Sequence, residues 1–306
     1  MRTVRLAYRD HDRTPMIYCI KAMAERHYGV NVDVIQIEPR QEFEAALFDR
    51  ACDVIIEHIE YLHTEASKGR KITLLCAPQI QRGLRLVVPQ DFHSLADLKG
   101  KTMAVRDLGR PHRITLWLRK VGLEKDVTTV IVSDREIGRW KQWKKIVSGE
   151  CAACFIAPIY LAEALAAGLK TFPASEAEVV SLFAQACLSE FAAENSLLLK
   201  DYLKAVIHAV ALFKYRRDEV MVIAAQEPMR LMKLTDADEL LTQVDAMAEL
   251  LQVKPYPTVE AILNTDDIAA QEYGPTSENP LTLWDLHWIK ELDDEGFIDD
   301  LVASLS

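Results

Sequence analysis

Val4-Arg5-Leu6-Ala7-Tyr8-Arg9-Asp10-His11-Asp12-Arg13-Thr14-Pro15-Met16-Ile17 reads as a strand, a charged loop and the start of a helix. Residues 4–8 are the strand. Thr14 stands as a candidate N-cap ahead of Pro15. Ile17, Ile20, Ala24 and Tyr28 follow helical spacing, so a helix is predicted over 15–28. The β-branched run 32–37 predicts a second strand, and 41–48 a short helix. Strand 53–56, helix 61–68 with Gly69 at its end, and strand 72–77 continue the alternation. Such an order implies a mostly parallel sheet with helices on both faces.

The pattern then restarts. Ser94-Leu95-Ala96-Asp97 has the form of a capping box. Strands are predicted at 102–105, 128–132 and 152–157, and helices at 111–121, 137–148 and 159–167, the last ended by Gly168. Beyond about residue 190 the chain reads as nearly all helix. Leu199, Leu203, Val206, Val210 and Phe213 share one face, as do Leu240, Val244, Met247 and Leu251. An internal repeat links the two halves. At an offset of 99 residues, Cys52, Tyr61, Leu62, Gly69 and Lys71 recur as Cys151, Tyr160, Leu161, Gly168 and Lys170. Tyr8-Arg9-Asp10 followed by Arg13-Thr14-Pro15 is likewise echoed by Val105-Arg106-Asp107 followed by Arg110-Pro111.

Composition narrows the function. Among 306 residues, 36 basic stand against 46 acidic, a net charge of −10. A nucleic-acid surface needs a basic face and is not expected. No apolar run reaches the ~18 residues of a membrane helix, so no span is expected. The amino terminus has no signal-peptide pattern. Cys19, Cys52, Cys76, Cys151, Cys154 and Cys187 sit mostly inside apolar runs and read as reduced core residues. The expectation is a cytoplasmic protein, or a periplasmic one if a signal peptide has been removed.

In open α/β sheets, ligands sit beyond the carboxyl ends of the strands. The loops there hold Arg9, Asp10, His11 and Arg13, then Glu57 and His58, then the run Pro78-Gln79-Ile80-Gln81-Arg82, with Gln81 and Arg82 the candidates. In the second half they hold Arg106, Gly109, Arg110, His112 and Arg113, and then Tyr160. Six arginines in these loops of an acidic protein predict an anionic ligand, because guanidinium holds carboxylates bidentately. Helix N-termini at the same loops would add free N–H groups. Glu57 and His58 are the candidate catalytic pair if a reaction occurs, as general acid and base. No tight histidine spacing is present, and no metal or cofactor is expected. Cys151 and Cys154 fall in a strand, where positions three apart face opposite sides, against a zinc or redox pair. Trp117, Trp140 and Trp143 follow helical spacing and read mainly as packing.

Five segments carry a family resemblance, among them the stretch from Leu84 to Pro89. The others are Phe48-Asp49-Arg50-Ala51-Cys52-Asp53-Val54, the stretch 94–105, Ser148-Gly149-Glu150-Cys151-Ala152-Ala153 with Ala157-Pro158, and the closing Trp284 to Leu301. Together they resemble the type-II periplasmic-binding-protein fold, in particular the SsuA-like group of sulfonate, nitrate and taurine binding proteins and related pyrimidine synthases. The resemblance implies an α/β, two-lobed protein with mixed, mostly parallel sheets. Lobe one would hold 1–87 plus 190–306 and lobe two 88–189, with hinge closure on a ligand in the cleft between them. It implies a solute-binding protein of the ABC-transporter type, with a small anionic ligand and a permease as partners. The acidic residue usual in the second-lobe motif is replaced here by Cys151 or Ala152. The loop from Asp10 to Thr14 and the stretch 104–121 are also similar to dihydroxyphthalate-decarboxylase-like proteins. That similarity implies an alternative, a cytoplasmic decarboxylase of an aromatic or related carboxylic acid.

Overall fold

The computed structural model describes residues 2–81, 84–106, 111–138, 140–157, 160–173 and 180–306. The chain forms two compact units, 1–81 with 181–306, and 82–180. The first unit opens with β1 (Arg2–Tyr8), α1 (Thr14–His27), β2 (Val30–Gln36), α2 (Arg40–Ala46), β3 (Val54–His58), α3 (Glu60–Ser67) and β4 (Ile72–Gln81). The second unit holds β5 (Arg85–Val88), β6 (Thr102–Arg106), α4 (Pro111–Lys120), β7 (Thr128–Val132), α5 (Asp134–Ile137), α6 (Lys144–Val147), β8 (Ala153–Ile156), α7 (Leu161–Ala166) and β9 (Lys170–Phe172). The chain then returns to the first unit through β10 (Ser181–Leu188), α8 (Ser189–Glu194) and α9 (Ser196–Tyr215). It ends with α10 (Arg217–Ala224), α11 (Glu227–Leu231), α12 (Ala237–Leu250), α13 (Val259–Glu272), α14 (His287–Asp294) and α15 (Phe297–Leu305).

The two sheets share one plan. Their orders are β2-β1-β3-β10-β4 and β7-β6-β8-β5-β9. Three strands at one end run parallel, and the fourth position is taken by an antiparallel strand from elsewhere in the chain. The repeated residues occupy matching places. Cys52 and Cys151 stand just before β3 and β8, and Gly69 and Gly168 follow α3 and α7. The Ser94–Asp97 capping box forms as the sequence suggests, each side chain bonding the other's backbone.

Several expectations need correction. The unit boundaries lie at 81/82 and 180/181 rather than 87/88 and 189/190. The cause is strand pairing: β5 joins β8 and β9, and β10 joins β3 and β4. The helix expected over 137–148 is broken into α5 and α6. Gly138 and Trp140 both adopt left-handed φ, 92° and 57°, between them. Strand β4 continues four residues past Ala77, through Pro78. It is an edge strand with a register shift beside the proline, the setting in which a missing N–H is tolerated. Thr14 is the first residue of α1 rather than its cap, and its hydroxyl donates to the His11 carbonyl at 2.7 Å. Cys151 precedes β8, and it packs into the same apolar cluster as Cys154. All six cysteines are free and buried, and burial pushes the Cys52 and Cys187 thiols up to about 12.

The main core lies between one face of the first sheet and helices α1 and α9. Leu6, Tyr8, Ile56, Phe183 and Cys187 meet Ile17, Ile20, Leu199, Leu203 and Val206 there. On the other face α13 is pinned to β10. Thr265 accepts the Leu182 N–H at 3.3 Å and donates to the Ala261 carbonyl at 2.7 Å.

At the far end of α1, the Tyr28 hydroxyl bonds the His208 Nδ1 at 3.0 Å, and the His27 ring lies tilted beside it, 5.0 Å away. Burial, helped by His27, pulls the His208 pKa from 6.5 down to about 4. The unfolded imidazole takes a proton that the folded one refuses. The neutral group therefore contributes stability above pH 6.5 that is lost progressively as pH falls toward about 4. Solvent screening of this partly exposed ring reduces the effect to roughly 1 kcal/mol. Denaturant unfolding at neutral pH and near pH 4.5 should show a smaller acid loss in His208→Gln than in the wild type. An equal loss in both would exclude His208 as the titrating group.

Candidate ligand-binding site

The carboxyl ends of β1, β2, β3 and β4 and the start of β10 lie along one edge of the first sheet, as the pairing directions require. Beyond β1, residues His11–Arg13 form a single 3-10 turn that runs directly into α1. Asp10 organises it. Its carboxylate accepts the Asp12 N–H at 3.2 Å, and its carbonyl accepts the Arg13 N–H at 2.9 Å. Glu57, only 3% exposed, ties the loop to β3: its two oxygens accept the backbone N–H groups of Asp10 and His58, both at 3.1 Å. The Tyr8 hydroxyl lies 3.1 Å from Thr14 Oγ1. Because Thr14 gives its proton to the His11 carbonyl, Tyr8 is the donor, and β1 is clamped to the start of α1. Turn and helix are continuous, so the Arg13 and Thr14 N–H groups are spent on the turn. They are not free for an anion, contrary to the expectation for this helix start.

His11 is also fixed. The Gln36 amide nitrogen donates to Nδ1 at 2.8 Å, which places the proton on Nε2, and Nε2 donates to Glu38 at 2.8 Å. Arg13 is different. Its side chain is 9% exposed, and its guanidinium lies over the Phe183 ring, 4.8 Å from the centroid. The buried Nε has no hydrogen-bond partner, and no carboxylate pairs with Arg13 among the described residues. His58 presents its ring to Phe183 edge-on at 5.7 Å, with Glu57 and Glu60 each 4.0 Å from a ring nitrogen. Register joins these groups. Phe183 pairs with His58 on one side and with Gln79 on the other, so the three side chains share a face. Gln79 is fully buried, and neither its amide nitrogen nor its oxygen has a partner among the described residues.

In the second unit, the equivalent edge carries Arg106 at the end of β6. Its guanidinium lies 4.5 Å from the Trp140 ring, which in turn stacks on Tyr160 at 5.9 Å and 18°. Trp140 lies between α5 and α6 rather than on a helix, and it packs against the second unit's apolar cluster as well as standing at this edge. Arg113 is buried in α4.

No protein-family model matches the sequence, and no curated protein does. Solved structures do. A periplasmic sulfonate-binding protein SsuA from Methylobacillus flagellatus is similar over 97% of this chain and 96% of its own, at 17% identity and a TM-score of 0.70. The fold is that of the periplasmic binding proteins. The aliphatic-sulphonate-binding SsuA of Escherichia coli agrees over 89% and 87% of the two chains, at 15% identity and a TM-score of 0.64. A zinc-bound ligand-binding component of an ABC-type import system from Staphylococcus aureus agrees over 95% and 99%, at 12% identity and a TM-score of 0.62. At these identities the likeness is one of fold.

Within this periplasmic-binding-protein fold, the sequence-derived residues separate into three groups. Arg13, Glu57 and His58 come together at the edge of the first sheet, with the half-buried Arg9 and Asp10 in the same loop. Arg106 and Tyr160 meet through Trp140, and Arg113 follows in α4. Arg82, Gly109 and Arg110 lie outside the described residues, as do the side chains of Gln81 and His112. In sequence Gln79 falls within the candidate loop 78–82 without being singled out, and nothing marks Phe183. The polar Gln79 two residues past an apolar strand was the available signal, whereas Phe183 looked like any core aromatic. Among the described residues, no group of three His, Cys, Asp or Glu side chains stands close enough to hold a metal ion. No described helix is long and apolar enough to cross a membrane.

Proposed function

We propose that the protein is a solute receptor that binds a small anion at the carboxyl edge of the first sheet, at Arg13. The observation that carries this reading is the Arg13 guanidinium: nearly buried, laid on Phe183, with an unpartnered Nε and no carboxylate counter-ion among the described residues. A nearly buried cation with no counter-ion is costly, and an arriving carboxylate or sulfonate turns that cost into a charge-assisted bond. Arg9 adds positive charge in the same loop. In the second unit, the edge with Arg106 over Trp140 suits an anion as well. The fold supports the receptor reading, and delivery to an import permease would follow from it.

A decarboxylase reading finds less support in the site. The Glu57 carboxylate is occupied in holding the backbone of the Asp10 loop and of His58, a structural task for the group that would act as base.

Thermal-shift screening tests the proposal. Mono- and dicarboxylates, sulfonates and phosphates should raise the melting temperature, while neutral and cationic analogues should not. An anion at 100 times its dissociation constant should add about 2.7 kcal/mol. Lys68→Ala, at an exposed ion pair with Glu65, should leave the response unchanged. A preference for cations or neutral compounds would refute the assignment.

A further inference from the structure

Resting on that reading, we infer that the anion held at Arg13 carries a second, uncharged group that both donates and accepts hydrogen bonds, and that Gln79 recognises it. A carboxamide, ureido or lactam edge has this chemistry.

The inference stands on the state of the Gln79 side chain. A buried primary amide has two donors and two acceptor positions to satisfy. Here both amide atoms are without partners among the described residues, although the residue is fully buried. Leaving such a group unmatched costs about 1–3 kcal/mol, and a packed interior rarely tolerates it without a purpose. An apolar side chain would fill an edge strand at this place at no such cost.

Position gives the amide its role. Gln79 is the direct cross-strand neighbour of Phe183, and the Arg13 guanidinium covers that same ring. Paired side chains start roughly 5 Å apart. A molecule with its anionic end at Arg13 therefore needs only a few bonds to bring a polar group to Gln79, with its middle over the Phe183 ring. The polar character continues deeper on the same face. Fully buried Gln185 lies in register with Ile56 and Cys76, beside the Tyr202 hydroxyl. An unsubstituted short-chain acid would satisfy Arg13 and leave this strip unmatched. An acid bearing a donor beside an acceptor would satisfy both.

The test uses matched probes in which a carboxamide is exchanged for an isopropyl group of similar shape: succinamate against isocaproate, and isophthalamate against meta-isopropylbenzoate. Calorimetric or thermal-shift titration of the whole protein should rank the amide member of each pair at least tenfold tighter. In Gln79→Leu the order should reverse, because the apolar side chain now favours the isopropyl group. Gln79→Met keeps the chain length and serves if leucine disturbs the strand; circular dichroism verifies the fold of both. Equal binding within each pair, or an amide preference that survives both substitutions, would overturn the inference while an intact anion response left the receptor reading standing. Absence of any response to anions in the wild type would remove both.

Discussion

Arg13→Leu should abolish most of the anion response, raising the dissociation constant of the best anion about 100-fold, or about 2.8 kcal/mol. Leucine retains apolar contact with the Phe183 ring and removes only the charge and its donors. The ligand-free protein should therefore keep its stability or gain slightly, since a nearly buried cation with no carboxylate partner among the described residues is lost. That opposite movement of affinity and stability is the signature of a binding residue. A purely structural arginine would lose stability and leave affinity alone. Calorimetric titration together with denaturant unfolding reads both quantities, and unchanged affinity in this variant would exclude Arg13 from the site.

The largest effect on the fold is expected from Phe183→Ala. The ring is fully buried on β10, an interior strand of the first unit's sheet, flanked by His58 and Gln79, with Arg13 on its face. Removing a buried phenylalanine side chain costs about 3–5 kcal/mol through lost transfer energy and the cavity left behind. For a unit of this size the melting transition should fall by on the order of 10 °C. Phe183→Leu keeps most of the volume and loses only the ring contacts with Arg13 and His58, so its cost should be about 1–2 kcal/mol. Scanning calorimetry of both variants checks the order. An alanine variant as stable as the leucine variant would mean that the ring is not a packing element of the sheet.

Much of this architecture can be read from local pattern alone. Strand β7 coincides with the expected 128–132, and the Ser94–Asp97 box forms with both of its hydrogen bonds. The Tyr61/Tyr160 and Gly69/Gly168 matches mark equivalent places in two like sheets. These are short-range signals, set by turn residues and by the period of apolar positions. Strand β10 gave no such signal. Seven of its eight residues are buried, so it does not alternate, and its partners in β3 lie about 125 residues earlier. Pro78 concealed the end of β4 because a proline ends most strands, and only the edge position with its register shift makes it acceptable here. At the site, Arg13 was legible because it follows a strand end. Its seat on the Phe183 ring was not, because β10 reaches this edge only through long-range pairing. Glu57 was read as a catalytic candidate from its residue type. Its hydrogen bonds to two backbone N–H groups, invisible in one dimension, make it a brace for the loop.

The placement of β10 also bears on how the chain is made. All five strands of the second sheet fall within residues 85–172, so that sheet can close while the ribosome is still adding residues. The first sheet cannot. Its gap between β3 and β4 stays empty until residues 181–188 emerge, long after both neighbours have been synthesised. During that interval two strand edges with unpaired N–H and C=O groups wait for one particular segment. Any other extended segment that enters the slot first would compete with it. Until then the edge that carries Arg13 is half assembled, and the arrival of β10 completes the sheet and brings Phe183 to Arg13 in the same step.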